Sequence, residues 1–509
     1  METLFKKILV ANRSEIAVRV INACRSLGIP SVAVYSKADL TSKHRRYADE
    51  SVFIGEAPPR ESYLDIDKII DAAQQTGCDA IHPGYGFLSE NSQLPKRCAE
   101  AGLTFIGPPA DAMLLMGNKV ESRMRMADAG VPLIPGMKGS GADMTAFEEA
   151  ADQAGFPVMI KAAAGGGGKG MRIVHKPEEL ADAVEGAKRE AAGAFGDDTV
   201  YLEKYISNPR HIEFQVIADT HGNCVHVFER ECSIQRRHQK IIEETPSIAL
   251  TDEIRAKMGA DAVKVARAAG YVNAGTVEFL FDLSGNYYFL EMNTRIQVEH
   301  PITEMVTGTD LVVEQIRVAA GLPLSEQFYS LTQRGHAIEC RIYAEDGEAN
   351  FMPSTGKLIH YSEPVGPGVR VDSGVELGSE ITIDYDPIMA KLIVHAPSRQ
   401  LAIRKMIAAL NDYKILGVKT SKRFMIDCMS HKEFVNGHTY TNFIEVNMAD
   451  REMDVEAYRD LAIAAAAAAS GRKAALASEA VDDTGRSAAP SPWQNIGAWQ
   501  IGDKIHDQV

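Results

Sequence analysis

No stretch of this 509-residue chain is apolar for long enough to cross a membrane, and none of its seven cysteines falls in a Cys-x-x-Cys pair. The first absence excludes a spanning helix. The second argues against a zinc site and fits a reducing compartment. Positive charge is in deficit: 54 Lys and Arg against 69 Asp and Glu leave a net −15. General nucleic-acid binding is therefore disfavoured, although a basic cleft within an acidic surface is not. No Gly-x-Gly-x-x-Gly accompanies the first strand–helix pattern, so a dinucleotide site is not expected. There is no solenoid repeat. Lys7-Ile-Leu-Val-Ala-Asn enters folded-looking sequence at once, so no signal or transit peptide is expected and a cytoplasmic location is.

What is present is concentrated in residues 291–301, Glu-Met-Asn-Thr-Arg-Ile-Gln-Val-Glu-His-Pro. Glu291, Asn293, Arg295, Gln297 and Glu299 recur at every second position, which in an extended chain puts them on one face. Upstream, Ala274–Phe281 and Tyr287–Met292 are rich in aromatic and β-branched residues and flank the turn signal Asp-Leu-Ser-Gly-Asn. A hairpin centred on Ser284 and Gly285 sets Glu278 opposite Glu291; one centred on Gly285 and Asn286 sets it opposite Asn293. Two facing carboxylates repel unless a cation joins them. Carboxylate and amide oxygens suit a hard ion such as Mg²⁺ that shares a substrate phosphate. The plainer alternative is a pair of exposed glutamates.

A second signal is Phe156-Pro-Val-Met-Ile-Lys161, an apolar run leading into Gly165–Gly168 and Lys169, with strand-like Met171-Arg-Ile-Val after it. Such a glycine run is either a linker or backbone that must approach a ligand closely, and its position between strands favours the second. Its N–H groups can cradle phosphate beside Lys161 and Lys169, but the spacing is not that of a Walker motif. A third stretch, Glu229 to Lys240, carries charges of both signs with little apolar periodicity. Alone it reads as a solvated loop. In an acidic chain, Arg236, Arg237, His238 and Lys240 make a plausible anion site.

From about Ile8 to about Val446 the chain resembles biotin carboxylase, an ATP-grasp ligase. The resemblance rests on Ala11-Asn-Arg-Ser-Glu-Ile-Ala17, His82 to Asn91, Met116-Gly-Asn-Lys119, the glycine lid, Glu203-Lys-Tyr205, Asn208 to His211, Glu229 to Lys240, the hairpin and Glu339 to Glu345. It implies a mixed α/β and α+β architecture: an ATP-grasp fold with an N-terminal α/β domain, a flexible glycine-rich lid and a C-terminal, mostly β domain. It implies that Lys119, Lys161, Gly167, Gly168, Glu203, Lys204, Ile206, His211, Gln235 and His238 hold ATP. Glu278, Glu291 and Asn293 would hold Mg²⁺ or Mn²⁺. Lys240, Arg295, Gln297 and the backbone of Val298 would hold bicarbonate, with Glu299 as its base and Arg341 stabilising the biotin enolate. ATP, bicarbonate and carrier-bound biotin would then be the substrates, joined through carboxyphosphate. Ser14 and Ala164 stand where the family usually has glycine, and little effect is expected from Ser14.

The expected boundaries are an α/β domain over 1–115, an ATP-grasp portion over 116–334 with its lid near 131–205, a mostly β domain over 335–447 and a tail over 448–509. Asp460–Ala469 is alanine-rich and expected helical; residues 471 to about 492 read as a linker. The only tryptophans, Trp493 and Trp499, then mark a tail that docks on a partner subunit or folds back on its own domain. No Ala-Met-Lys-Met biotinylation motif occurs. The expected partners are therefore a separate biotin carboxyl carrier protein and a carboxyltransferase, in a homodimer or larger complex. The resemblance points to the biotin carboxylase component of an acetyl-, propionyl- or methylcrotonyl-CoA carboxylase; Tyr343 and His438-Thr-Tyr-Thr-Asn-Phe lean towards the latter two. The rival readings are one half of a carbamoyl phosphate synthetase, or a catalytically silent scaffold.

Overall fold

The computed structural model describes residues 4–137, 143–163, 171–237, 239–449, 451, 459–460 and 462–468. Ala164, Gly167, Gly168, Lys169, His238, Trp493 and Trp499 lie outside these. The chain divides into two units, 1–449 and 450–509.

In the first unit, short strands pair in parallel, the central ones apolar as expected where both faces are covered. They are β1 (Ile8–Val10), β2 (Ser31–Ser36), β3 (Glu50–Gly55), β4 (Ala80–His82) and β5 (Thr104–Phe105), in the order β3-β2-β1-β4-β5. Helix α1 (Ser14–Ser26) follows β1 at once and buries Ile16, Ala17, Val20 and Ile21 against it. The strand–helix alternation of the sequence predicts Ile8–Ala11, Glu15–Leu27 and Ser31–Tyr35, each bound within a residue of the observed one.

The tight passage from β1 into α1 has a cost. Ser14 sits at φ +58°, in the left-handed region, with its Cβ side facing Gly374. A non-glycine residue there costs roughly 1–2 kcal/mol, of which glycine would return part to the unfolded chain's entropy. Small size is therefore not the relevant property of this position; backbone freedom is. Ser14→Gly is expected to stabilise the protein by about 0.5–1 kcal/mol, read as a higher denaturation midpoint. An unchanged or lower midpoint would show the serine to be unstrained.

Strands β6 (Val158–Ala162), β7 (Arg172–Val174) and β8 (Val200–Lys204) form a separate antiparallel sheet in the order β7-β6-β8. Helices Met144–Ala154 and Leu180–Phe195 cover it, with Phe147, Ile160, Val184 and Leu202 at the centre of a small independent core.

The remaining large element is an antiparallel sheet of eight strands. It contains β9 (Arg210–Ala218), β10 (Cys224–Arg236), β11 (Gln239–Thr245), β12 (Asn273–Phe281), β13 (Tyr287–Asn293), β14 (His336–Tyr343) and the strands Ile388–Ala396 and Val369–Ser373. Their order is β13-β12-β9-β10-β11-β14, then 388–396, then 369–373. One continuous ladder therefore joins the ATP-grasp segment to the C-terminal segment. The pairings of β10 with β9 and β11 contain three register shifts, which bend the sheet and re-aim side chains.

Two expectations are corrected here. Glu229–Lys240 is not a loop but the two strands of the β10–β11 hairpin, and Glu229, Arg230 and Glu231 are fully or almost fully buried in it. The extended run from Glu291 does not reach Glu299: β13 ends at Asn293, and Pro301 occupies the first turn of helix His300–Thr307. Proline's fixed φ suits that helical position, so the chain turns before Glu299 instead of running on as a strand.

In the second unit, residues 459–460 and 462–468 are helical with exposed side chains. Among the described residues no helix is long and apolar enough to cross a membrane.

Candidate active site

The β12–β13 hairpin sets Glu278 directly opposite Glu291. The turn over Asp282–Asn286 would by itself give a register one residue off, and a bulge at Leu290 restores the facing pair. β9 lies on the other side of β12, with Glu213 opposite Glu278 and His211 opposite Leu280. Carboxylates from three adjacent strands thus stand in one row. Burial and the Glu278 charge raise the Glu291 carboxyl above its ordinary range. Burial also works against ionised Glu278, but Lys240 and His211 hold it low. His211 Nε2 lies 3.1 Å from Glu278 Oε2, and Asn293 Nδ2 donates to Glu278 Oε1 at 2.9 Å.

Lys240 is the hub. Its ammonium donates to Glu278 Oε1 and Glu299 Oε1, each at 2.8 Å, and to Glu213. Arg341, from β14, donates through Nη2 to Glu299 Oε2 at 3.0 Å and through Nε to Glu243 Oε1 at 2.6 Å. Glu299 is wholly buried between these cations. Burial would raise its carboxyl, yet Lys240, Arg341 and Arg230 together keep it well below the usual carboxylate range. Arg295 closes the other edge, donating to Asn293 Oδ1 and Gln297 Oε1 at 3.0 Å and pairing with Glu90 at 3.1 Å. Cys232 is a bystander: its thiol is buried, pushed well above its ordinary value by desolvation, and 3.8 Å from Glu299.

These groups open onto a cleft of about 1330 Å³. Lys119, Lys161, Lys204, Ile206, His211, Gln235, Lys240, Glu278, Glu291, Asn293, Arg295, Gln297, Val298 and Arg341 all line it. Glu203 and Glu299 sit behind the wall. Glu203 receives Lys161 Nζ at 2.6 Å and the guanidinium of Arg123, so this pair positions the lysine. The Lys204 ammonium bonds the carbonyls of Gly155 and Phe156 at 2.8 and 3.1 Å.

Sequence reasoning missed Glu213, Arg230 and Glu243. Glu213 was within reach: His211, Glu213 and Gln215 repeat every second residue along β9, the same signal that marked the hairpin. Arg230 was not, because its partners Glu213, Gln215, Thr276 and Thr303 come from three distant segments.

An antiparallel sheet carrying opposed carboxylates, a lysine-lined cleft and a small β-subdomain define an ATP-grasp enzyme. Family models agree: Biotin carboxylase, N-terminal domain, matches residues 4–113; Carbamoyl-phosphate synthase L chain, ATP binding domain, 118–327; and Biotin carboxylase C-terminal domain, 339–446. The chain is 54% identical to one of the pyruvate carboxylase polypeptides of Methanothermobacter thermautotrophicus over 442 residues, covering 87% of this chain and 90% of that one. It is 48% identical to the alpha chain of the mitochondrial methylcrotonoyl-CoA carboxylase of Dictyostelium discoideum over 504 residues, 99% of this chain and 71% of the relative. Among solved structures it superposes with a TM-score of 0.84, at 48% identity, on the biotin carboxylase domain dimer of Hydrogenobacter thermophilus 2-oxoglutarate carboxylase in complex with MgADP, ADP and bicarbonate. That match covers 89% of this chain and all of the other. The chain belongs to the biotin carboxylase family. It is a ligase that carboxylates biotin at the expense of ATP, with Mg²⁺.

Proposed function

We propose that this chain is the biotin carboxylase component of an acyl-CoA carboxylase of the acetyl-, propionyl- or methylcrotonyl-CoA type. A biotin carrier protein and a carboxyltransferase would be its partners, and its own chain would pair in a homodimer or larger assembly. Support for the acyl-CoA class is the alignment to the Dictyostelium chain, which extends over 99% of this one. The proposed working segments are 1–115, 116–334 with a lid near 131–205, 335–447 and the tail 448–509. Co-purified with its carboxyltransferase, the enzyme is expected to transfer carboxyl to an acyl-CoA; transfer to pyruvate alone would overturn the acyl-CoA assignment.

The roles follow from one observation: Glu299 is gripped by Lys240 and Arg341 together. A carboxylate so strongly paired is a weak base. Bicarbonate and the nucleotide's terminal phosphate bring negative charge that competes for Lys240 and Arg295, and nearby anions raise a carboxyl's proton affinity. Glu299 can then take the bicarbonate proton as the substrate oxygen attacks phosphorus. Lys240, Arg295, Gln297 and the Val298 backbone would orient bicarbonate. Lys119, Lys161, Glu203, Lys204, Ile206, His211 and Gln235 would hold ATP, with Gly167, Gly168 and His238 completing that set. Arg341, released from Glu299 once the latter is neutral, would stabilise the negative oxygen of the biotin enolate.

Glu278, Glu291 and Asn293 fit a hard divalent cation, because Lys240 and His211 already pair with Glu278 while the Glu291 carboxyl that faces it is pushed above its ordinary range. When bound, the ion neutralises phosphate charge during transfer. Glu291→Gln is expected to raise the Mg²⁺ concentration for half-maximal ATP turnover by roughly 10–100-fold, the range seen when metal-site partners are lost. In chelator, the same variant should be at least as stable as wild type, since it removes a facing like charge. A lower midpoint in chelator with unchanged Mg²⁺ dependence would remove Glu291 from the metal site.

A further inference from the structure

Behind Arg341 lies a pair of carboxyl groups with no role in the chemistry above. Glu243 on β11 and Glu339 on β14 are register partners, so their side chains share one face of the sheet. They are 1% and 0% exposed. One of their four oxygens, Glu243 Oε1, accepts from Arg341; Glu243 Oε2 and both oxygens of Glu339 receive no hydrogen bond. A buried carboxylate needs a cation or donors to stay ionised. Two facing each other, with three undonated oxygens, cannot both be charged.

We propose that Glu243 and Glu339 hold one proton between them, and that Glu243 is thereby a positioning residue for Arg341. The proton rests mainly on Glu339, leaving Glu243 to anchor the guanidinium from behind while Arg341 Nη2 points at Glu299. This rests on Arg341 acting on biotin, as read above.

The charges around the pair support this assignment. Facing Glu243 are Arg341 and Glu339 on β14, Lys240 on its own strand, Glu299 at the start of helix His300–Thr307 and the thiols of Cys232 and Cys340. Facing Glu339 are Lys391 from strand 388–396, Glu243, Arg341 and Glu299. Lys391 does not discharge Glu339: its ammonium donates to the Val298 carbonyl at 3.0 Å and lies 3.8 Å from Asp372. Burial raises Glu339 well above the usual carboxyl range, and raises Glu243 to about 7 even with Arg341 beside it. The proton on Glu339 is therefore kept through neutrality and is lost only well above the ordinary carboxyl range. Fully ionised, the pair would set a second full negative charge against Arg341 and weaken its hold on an enolate.

The test compares Glu243→Gln and Glu339→Gln in the full-length protein, using bicarbonate-dependent ATP hydrolysis without and with free biotin. Glu339→Gln, which fixes the neutral state, is expected to keep biotin-stimulated turnover within about threefold of wild type and to lose the high-pH decline. Its infrared spectrum should also lack a carboxylic-acid C=O band that wild type shows at neutral pH. Glu243→Gln should lower biotin-dependent kcat/KM by roughly tenfold or more, as for loss of a hydrogen bond to a charged group, while biotin-independent hydrolysis changes less than about threefold. An unchanged acid band and an unaltered pH profile in Glu339→Gln would overturn the shared proton. Equal losses with and without biotin in Glu243→Gln would overturn the positioning role. A wild-type enzyme that ignores biotin would instead overturn the reading of Arg341 on which this inference stands.

Discussion

Glu299→Gln is expected to lower bicarbonate- and biotin-dependent ATP turnover by roughly 10²–10⁴-fold, the usual contribution of a positioned general base. Glutamine keeps the size of the side chain and leaves the residues lining the nucleotide cleft unchanged, so ATP affinity should move little. The loss therefore belongs in kcat and in the bicarbonate dependence. The variant also carries a signature in stability. Glu299 is held below its unfolded-state value of about 4.3, so its ionised form stabilises the fold above that pH, and this contribution fades as pH falls towards the folded value. Glu299→Gln should thus be less stable than wild type at neutral pH, with the gap closing in acid. Turnover within tenfold of wild type would remove Glu299 as the base.

Arg230→Met is expected to be the most destabilising single change at the site. The guanidinium is fully buried and donates to Glu213 at 2.6 Å, Gln215 at 2.9 Å, Thr303 at 3.0 Å and Thr276 at 3.1 Å. Removing one partner of a buried ion pair leaves the other uncompensated, at a cost of about 3–5 kcal/mol. Glu213 also receives Lys240, so the surviving carboxylate would pull on the lysine that serves Glu299. Both the denaturation midpoint and bicarbonate-dependent turnover should fall. Adding Glu213→Gln should recover part of the stability, because the double variant has no stranded charge at this point. A single variant with the wild-type midpoint would mean that water replaces the guanidinium without penalty.

The sequence disclosed those parts of the site whose pattern follows one strand. Glu278, Glu291 and Asn293 were legible because period-two alternation and a turn signal fix which face they share, and the bulge at Leu290 preserves that face. The first α/β segment was legible because its first two strands, Ile8–Val10 and Ser31–Ser36, are mostly apolar and a helical run separates them. The β10–β11 hairpin was not, because burying Glu229, Arg230 and Glu231 removes the apolar alternation that marks a strand; their partners come from elsewhere in the chain. Glu299 was correctly placed beside the carboxylate row but for a different reason: a turn and a helix start carry it there, not the strand. The left-handed backbone at Ser14 could not be read from side-chain size.

The bulges of the β10–β11 hairpin also set how this gene can tolerate change in length. Lys240 and Glu243 are an odd number of positions apart, yet the register slip at Ile241 lets one reach Glu299 and the other Arg341. In a regular ladder, removal of one residue carries everything beyond it to the opposite side. A scan of single-codon deletions should therefore find total loss within the strands 224–236 and 239–245, sharply bounded by the turn at 219–223, where the chain lies between strands and a missing residue has no register to break.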